Sequence, residues 1–164
     1  MIKYFASIIL LLLCSSFLHT GKYPVVKLYA YEQKVSGGAN FSSDTKGRAV
    51  MRQYVYLLVR NERTIEIEKV WINGSKTAVT TDIVQSPVTI EKSIKFGAEA
   101  AFETLVPATG HRIMQLSIAD QPGSEKTIPS RYRQYPLLIA YKEGGKSYYL
   151  GSKSWKTLSP QVNQ

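Results

Sequence analysis

From Val25 onward, apolar side chains recur at every second position in one run after another, and the three-and-four spacing of a long amphipathic helix does not. Such alternation buries one face of an extended chain, so each run predicts a β-strand. In Val25–Val35, Val26, Leu28 and Ala30 form the inward set, Lys27, Tyr29, Tyr31 and Gln33 the outward one, and Ser36-Gly37-Gly38 ends the strand. In Ala49–Arg60, Ala49, Met51, Val55, Leu57 and Val59 share a phase against Arg52, Tyr54, Tyr56 and Arg60; the long apolar run predicts a central strand. Across Thr64–Ile72, Ile65 and Ile67 alternate with Glu66 and Glu68 before the apolar phase moves to Val70 and Ile72. A β-bulge at Glu68-Lys69 produces that one-residue slip. Further strands are expected near Thr77–Val84, Val88–Phe96, His111–Ala119, Tyr135–Lys142 and Ser147–Gly151.

Turn chemistry separates these runs. Asn73-Gly74 supplies the positive φ angles of a two-residue hairpin turn, and Glu143-Gly144-Gly145-Lys146 joins the last two strands in the same way. Pro87 falls at a strand start, where its missing N–H costs least. Ala98–Leu105 supports two readings, a short helix through Ala98, Ala101, Phe102 and Leu105, or a strand through Phe102, Thr104 and Val106. Asp120–Gln134, punctuated by Pro122-Gly123 and Pro129, reads as the longest irregular segment. About eight short strands without alternating helices predict an all-β fold, an antiparallel two-sheet sandwich of immunoglobulin-like topology, with a small β-barrel as the alternative. The likeness is one of architecture only, since the Cys-Trp-Cys signature of immunoglobulin domains is absent.

The first 21 residues stand apart. Lys3 followed by Phe5–Leu13 has the charged and apolar regions of a secretory signal, and it is shorter than the roughly 20 apolar residues that cross a bilayer. The expected organisation is a signal peptide over 1–21, one β-sandwich domain over 22–152 and a C-terminal tail over 153–164. Cys14 is the single cysteine of the chain, and lipid attachment there would make a membrane-anchored lipoprotein. Leu13 before it is large where the lipoprotein cleavage pocket takes a small residue, so ordinary cleavage after Ser16 or Gly21 is expected, leaving a periplasmic or secreted protein. Without Cys14 the exported chain has neither disulfides nor cysteine-ligated metals.

Net charge is +9 over 164 residues, and removing the leader leaves 20 basic against 12 acidic residues, a net +8. A basic exported protein is drawn to acidic proteins, acidic glycans or lipid headgroups, so peripheral membrane contact is one expectation, whereas nucleic acid is not an expected partner outside the cytoplasm. Catalytic chemistry is poorly supplied: His111 is the one histidine past the leader, and neither a G-x-S-x-G elbow nor an H-E-x-x-H helix occurs. Glu66 and Glu68 lie two apart on one strand face, not across a cleft as glycosidase carboxylates do. No catalytic residue, metal ligand or cofactor is assigned. Of the two sequons, Asn40-Phe41-Ser42 and Asn73-Gly74-Ser75, the second is better explained by its turn.

Aromatic and basic residues are what the chain has in quantity, with 11 tyrosines, several on outward phases: Tyr29, Tyr31, Tyr54, Tyr56 and Tyr148. Arg131-Tyr132-Arg133-Gln134-Tyr135 is the densest mixed run. Flat rings with hydroxyls beside guanidinium groups suit a protein interface or a sugar. The candidate binding residues are therefore Arg131, Tyr132, Arg133, Tyr135, Tyr54 and Tyr56. The expected function is a non-catalytic binding or accessory module of the cell envelope with a protein or glycan partner. A structural subunit exchanging strands through the first strand or the tail is the alternative, and a hydrolase the remote one.

Overall fold

In the computed structural model, residues 23–36, 49–92, 101–122 and 128–162 are described. The leader with Cys14, the sequon at Asn40, the Ser93–Phe96 part of an expected strand and the Ala98 end of the ambiguous segment lie outside them. The fold is all-β. Its strands are β1 (Val25–Ser36), β2 (Ala49–Val59), β3 (Glu66–Ile72), β4 (Ser75–Val84), β5 (Val88–Glu91), β6 (Phe102–Val106), β7 (Arg112–Pro122), β8 (Leu137–Glu143), β9 (Lys146–Ser152), β10 (Lys156–Thr157) and β11 (Gln161–Val162). One curled, mixed sheet runs β10-β1-β2-β7-β4-β3-β8-β9, with β11 also on β1, while β5 and β6 form a separate hairpin. Among the described residues there is no α-helix, only a single 3-10 turn at Ser130–Tyr132.

Geometry forces the curl. β9 and β10 are the two ends of this strand order, yet only Lys153–Trp155 separate them in the chain. On a flat sheet, seven strand spacings would put them about 34 Å apart, while the four Cα steps from Ser152 to Lys156 reach about 14 Å. The sheet therefore bends until β9 lies against β1, and those strands are in contact. Six antiparallel steps link β1 to β9, so the two run the same way, and the chain can pass from β9 onto β1 without reversing. This is why β10 and β11 pair with β1 in parallel, which corrects the expectation of a purely antiparallel arrangement.

The two sheets expected from the alternation are joined into one because β4 changes partners. Its first residues pair with β3 at Ile72↔Ser75, Trp71↔Lys76 and Val70↔Thr77. After a register shift between Thr77 and Val79 it follows β7 as far as Val84↔Ile113. Below that point β1-β2-β7-β4 and β3-β8-β9 diverge as two branches whose inner faces meet. Val55, Leu57, Val59, Met114 and Leu116 of one branch pack with Val70, Leu137, Ile139 and Tyr141 of the other in the main core. The Asn73-Gly74 turn has φ of 50° and 82°, and Gly144-Gly145 has 53° and 80°, as hairpin turns of this kind require. The bulge expected at Glu68-Lys69 lies between Ile67 and Lys69. An unexpected bulge between Val25 and Lys27 moves Val26 outward, to 44% exposure, and gives its place in the core to Val25. The ambiguous segment resolves as strand over Phe102–Val106.

The outer face is also covered, in two places. The β5–β6 hairpin and Leu158 close over Tyr31, Tyr56, Leu58 and Ile113, and residues 128–135 close over Trp71, Leu138 and Ala140. The tail is thus bound within the chain: the Leu158 amide donates to the Glu32 carbonyl at 2.8 Å, and Gln33 Nε2 donates to the Ser159 carbonyl at 2.9 Å. At the opposite end the turn after β2 is anchored by Asn61 Nδ2 on the Gly110 carbonyl, Arg60 Nε on the Tyr23 carbonyl and the Arg63–Glu143 ion pair. Leu158, 3% exposed, fills the gap between β1 and the hairpin. Leu158→Ala should lower the free energy of unfolding by about 2–5 kcal/mol in urea titration, whereas Lys153→Ala, on an exposed side chain, should stay within about 0.5 kcal/mol.

Candidate binding surface

The second outer-face cluster contains most of the candidate residues. The two-residue turn at Gly144-Gly145 fixes the β8–β9 register, placing Tyr149 opposite Ala140 and Gly151 opposite Leu138. On the neighbouring strand Trp71 lies opposite Leu138, so Trp71, Leu138 and Gly151 form a row on the outer face. Trp71 is 3% exposed, and its indole Nε1 has no hydrogen-bond partner among the described residues.

Residues 128–135 are folded onto this row. Pro129, at φ −58°, leads into the 3-10 turn, which closes with the Tyr132 amide on the Pro129 carbonyl at 2.9 Å; the Tyr135 amide then donates to the Tyr132 carbonyl at 3.1 Å. Tyr135 lies directly on Gly151, and a Cβ at that position would come within 2.6 Å of its ring. Glycine is needed here for space. Tyr132 stands beside Tyr135 and stacks on Tyr149, with ring centroids 4.8 Å apart and planes at 26°. The Arg131 guanidinium lies 4.7 Å from the Tyr132 centroid and 5.9 Å from that of Tyr149. Arg131, Arg133 and Tyr149, the last 42% exposed, face solvent. The result is a short ladder of cation and rings on a rigid apolar base.

Sequence reasoning missed Tyr149 and placed Tyr148 on the outward phase instead. Tyr148 turns to the inner side, stacking on Tyr141 at 5.4 Å and meeting Tyr23 edge-on at 6.4 Å. Counting on from the Gly-Gly turn gives the pairing of Tyr149 with Ala140, because Glu143↔Lys146 fixes every later pair.

Tyr54 and Tyr56 belong elsewhere. Both lie on the outer face of β2 as expected, but beneath the β5–β6 hairpin, in the cluster that does not include Tyr132 or Tyr135. Tyr56 is 3% exposed, and burial pushes its hydroxyl up to about 12. Tyr54 Oη donates to Gln33 Oε1 at 3.0 Å, and the neighbouring Tyr31 donates to the Leu105 carbonyl, so these rings bind the hairpin and the tail to the sheet. Tyr56 has no ring surface to offer a partner.

The carboxylate pair is also accounted for. Glu68 accepts from Lys142 Nζ at 2.7 Å and Ser147 Oγ at 3.0 Å, and the Lys142 bond holds its carboxyl below the usual range. Glu66 is an exposed neighbour on the same strand. His111 is half-buried just before β7, with its amide donating to Thr109 Oγ1. Among the described residues no group of three His, Cys, Asp or Glu side chains converges as a metal site. No protein-family model matches the chain, and comparison with curated proteins and with solved structures finds no match.

A ladder seated on Gly151 depends on that glycine. Gly151→Ala should displace Tyr135 and loosen the Tyr132–Tyr149 stack, at a cost of about 1–3 kcal/mol in stability, seen as a lower unfolding midpoint together with a diminished near-ultraviolet circular dichroism band. An unchanged near-ultraviolet spectrum would show that Tyr135 does not lie where described.

Proposed function

We propose that the chain is an exported, non-catalytic binding module of the cell envelope, and that it contacts a protein partner through Arg131, Tyr132 and Tyr149, with Arg133 and Tyr135 at the margin. The Arg131-Tyr132-Tyr149 stack carries this reading. Aromatic side chains, which bring large contact area at little entropic cost, and arginine are enriched at the energetic centres of protein interfaces. Here the rings are already ordered by Trp71 and Gly151, so little conformational freedom is left to lose on binding. A protein is favoured over a glycan because neither tryptophan offers an open face: Trp71 is buried and Trp155 packs against the main core. The two exposed arginines favour a partner with carboxylates opposite them.

An immunoglobulin-like reading of the fold goes with this. The branch orders β4-β7-β2-β1 and β3-β8-β9 correspond to the D-E-B-A and C-F-G orders of constant-type immunoglobulin modules. The β5–β6 hairpin is then an insertion between the fourth and fifth strands. Export rests on the leader-like segment before Val25, with cleavage near Ser16 or Gly21 favoured over lipidation at Cys14. The tail's pairing with β1 of the same chain favours a self-contained module over a strand-exchanging subunit.

Pull-down from native envelope extract tests the reading. The wild-type domain should retain a specific protein at micromolar concentration, with Arg131→Ala and Tyr149→Ala each weakening retention about tenfold or more. Equal retention by both variants, or capture of no partner, would contradict it.

A further inference from the structure

The inner space of the curled sheet is filled by side chains toward the β2–β3 turn, and it opens at the other end. A cavity of about 710 Å³ lies there, between the start of β2 and the end of β7 on one side and the β3–β4 hairpin on the other. That is within the size range of small-molecule sites, about 300–1,000 Å³. Its walls follow from strand phase. Met51 and Gln53 continue the inward set of Val55 and Leu57 on β2, Ile118 continues Met114 and Leu116 on β7, Ile72 packs against the main core, and Thr77 is paired with the core residue Val70. Ser75 completes a polar wall with Gln53 and Thr77. Further in lies a closed apolar layer, since Val55, Leu116, Val70 and Leu137 are each at most 1% exposed.

We infer that this cavity binds a small anionic amphiphile, an acyl or similar apolar body with a carboxylate-type head. The apolar part fits against Met51, Ile72 and Ile118. Gln53, Ser75 and Thr77 supply uncharged hydrogen-bonding groups, and Arg52, on the opposite phase of β2, borders the cavity where β2 and β7 are no longer paired beyond Val55↔Leu116 and supplies a cation at its rim. No acidic residue lines the cavity among the described residues, and the chain as a whole carries a net +9, so a cationic amphiphile meets no counter-charge there. Neither the cavity nor Arg52 belongs to the Arg131-Tyr132-Tyr149 surface, so the two sites are separable by experiment.

Isothermal titration calorimetry of the full chain with three ten-carbon ligands below their micelle concentrations tests the inference. Decanoate should bind saturably, decanol about threefold more weakly, and decylammonium without saturation. Arg52→Gln should erase the preference for decanoate over decanol. Met51→Trp places bulk at a half-exposed position outside the closed core, and should abolish binding of both while the thermal midpoint of the unliganded protein stays unchanged. Tyr149→Ala should leave decanoate binding intact. Decylammonium binding as well as decanoate, decanoate binding indifferent to Met51→Trp, or no saturable decanoate binding would each overturn the inference.

Discussion

Three residues, Lys153–Trp155, hold the two ends of the sheet together, and much of the structure is a consequence of that short connection. It brings β9 against β1, encloses the space that the inward phases of seven strands fill, and sets β10 and β11 down on β1 in parallel. The partner change of β4 works with it. A sheet hydrogen-bonded along its whole length would resist so tight a bend, whereas β3 and β4 share only three residue pairs before diverging, so the two branches can turn to face each other. Tyr23 meets Tyr148 edge-on at one end, and near the β3–β4 hairpin a cavity remains.

Curling alone would leave a wide convex surface carrying tyrosine, leucine and tryptophan. Two local devices cover it. The β5–β6 hairpin and Leu158 bury Tyr31 and Tyr56, and residues 128–135 bury Trp71. Burial pushes the hydroxyls of both Tyr56 on the outside and Tyr141 on the inside up to about 12, which moves their ionisation further from the physiological range. Arg131, on the covering segment, and Tyr149, on the adjoining β9, differ because they sit against Tyr132 with their outer sides open to solvent. That difference, more than residue type, separates the candidate surface from the other tyrosines.

Alternation made β2 and both glycine hairpins readable from the chain, and the phase slip near Glu68 located its bulge, because each is a local pattern with a local cause. Val26 was misjudged, since a bulge at the first residues of a strand leaves too few positions to show a phase. The parallel strands after Trp155 were not legible at all: a ladder of two residue pairs has no periodicity to read, and it is specified by the bonds of Leu158 to Glu32 and of Gln33 to Ser159 across more than a hundred residues. The run from Arg131 to Tyr135 was legible as chemistry, but its geometry was not. Tyr149 and Gly151 enter the site through strand register, and Tyr56 leaves it through a hairpin whose docking on the tyrosine face no short-range pattern announces.

The segment after β9 is an integral edge of the sheet. Residue-resolved hydrogen exchange of the full chain tests it most directly, through the Leu158 amide bonded to the Glu32 carbonyl at 2.8 Å. Because removing that bond requires opening the edge that closes the fold, the Leu158 amide should exchange about as slowly as the central amides of β2, near the rate set by global unfolding. Exchange of Leu158 at the rate of an unstructured terminus, with β2 still protected, would contradict the account.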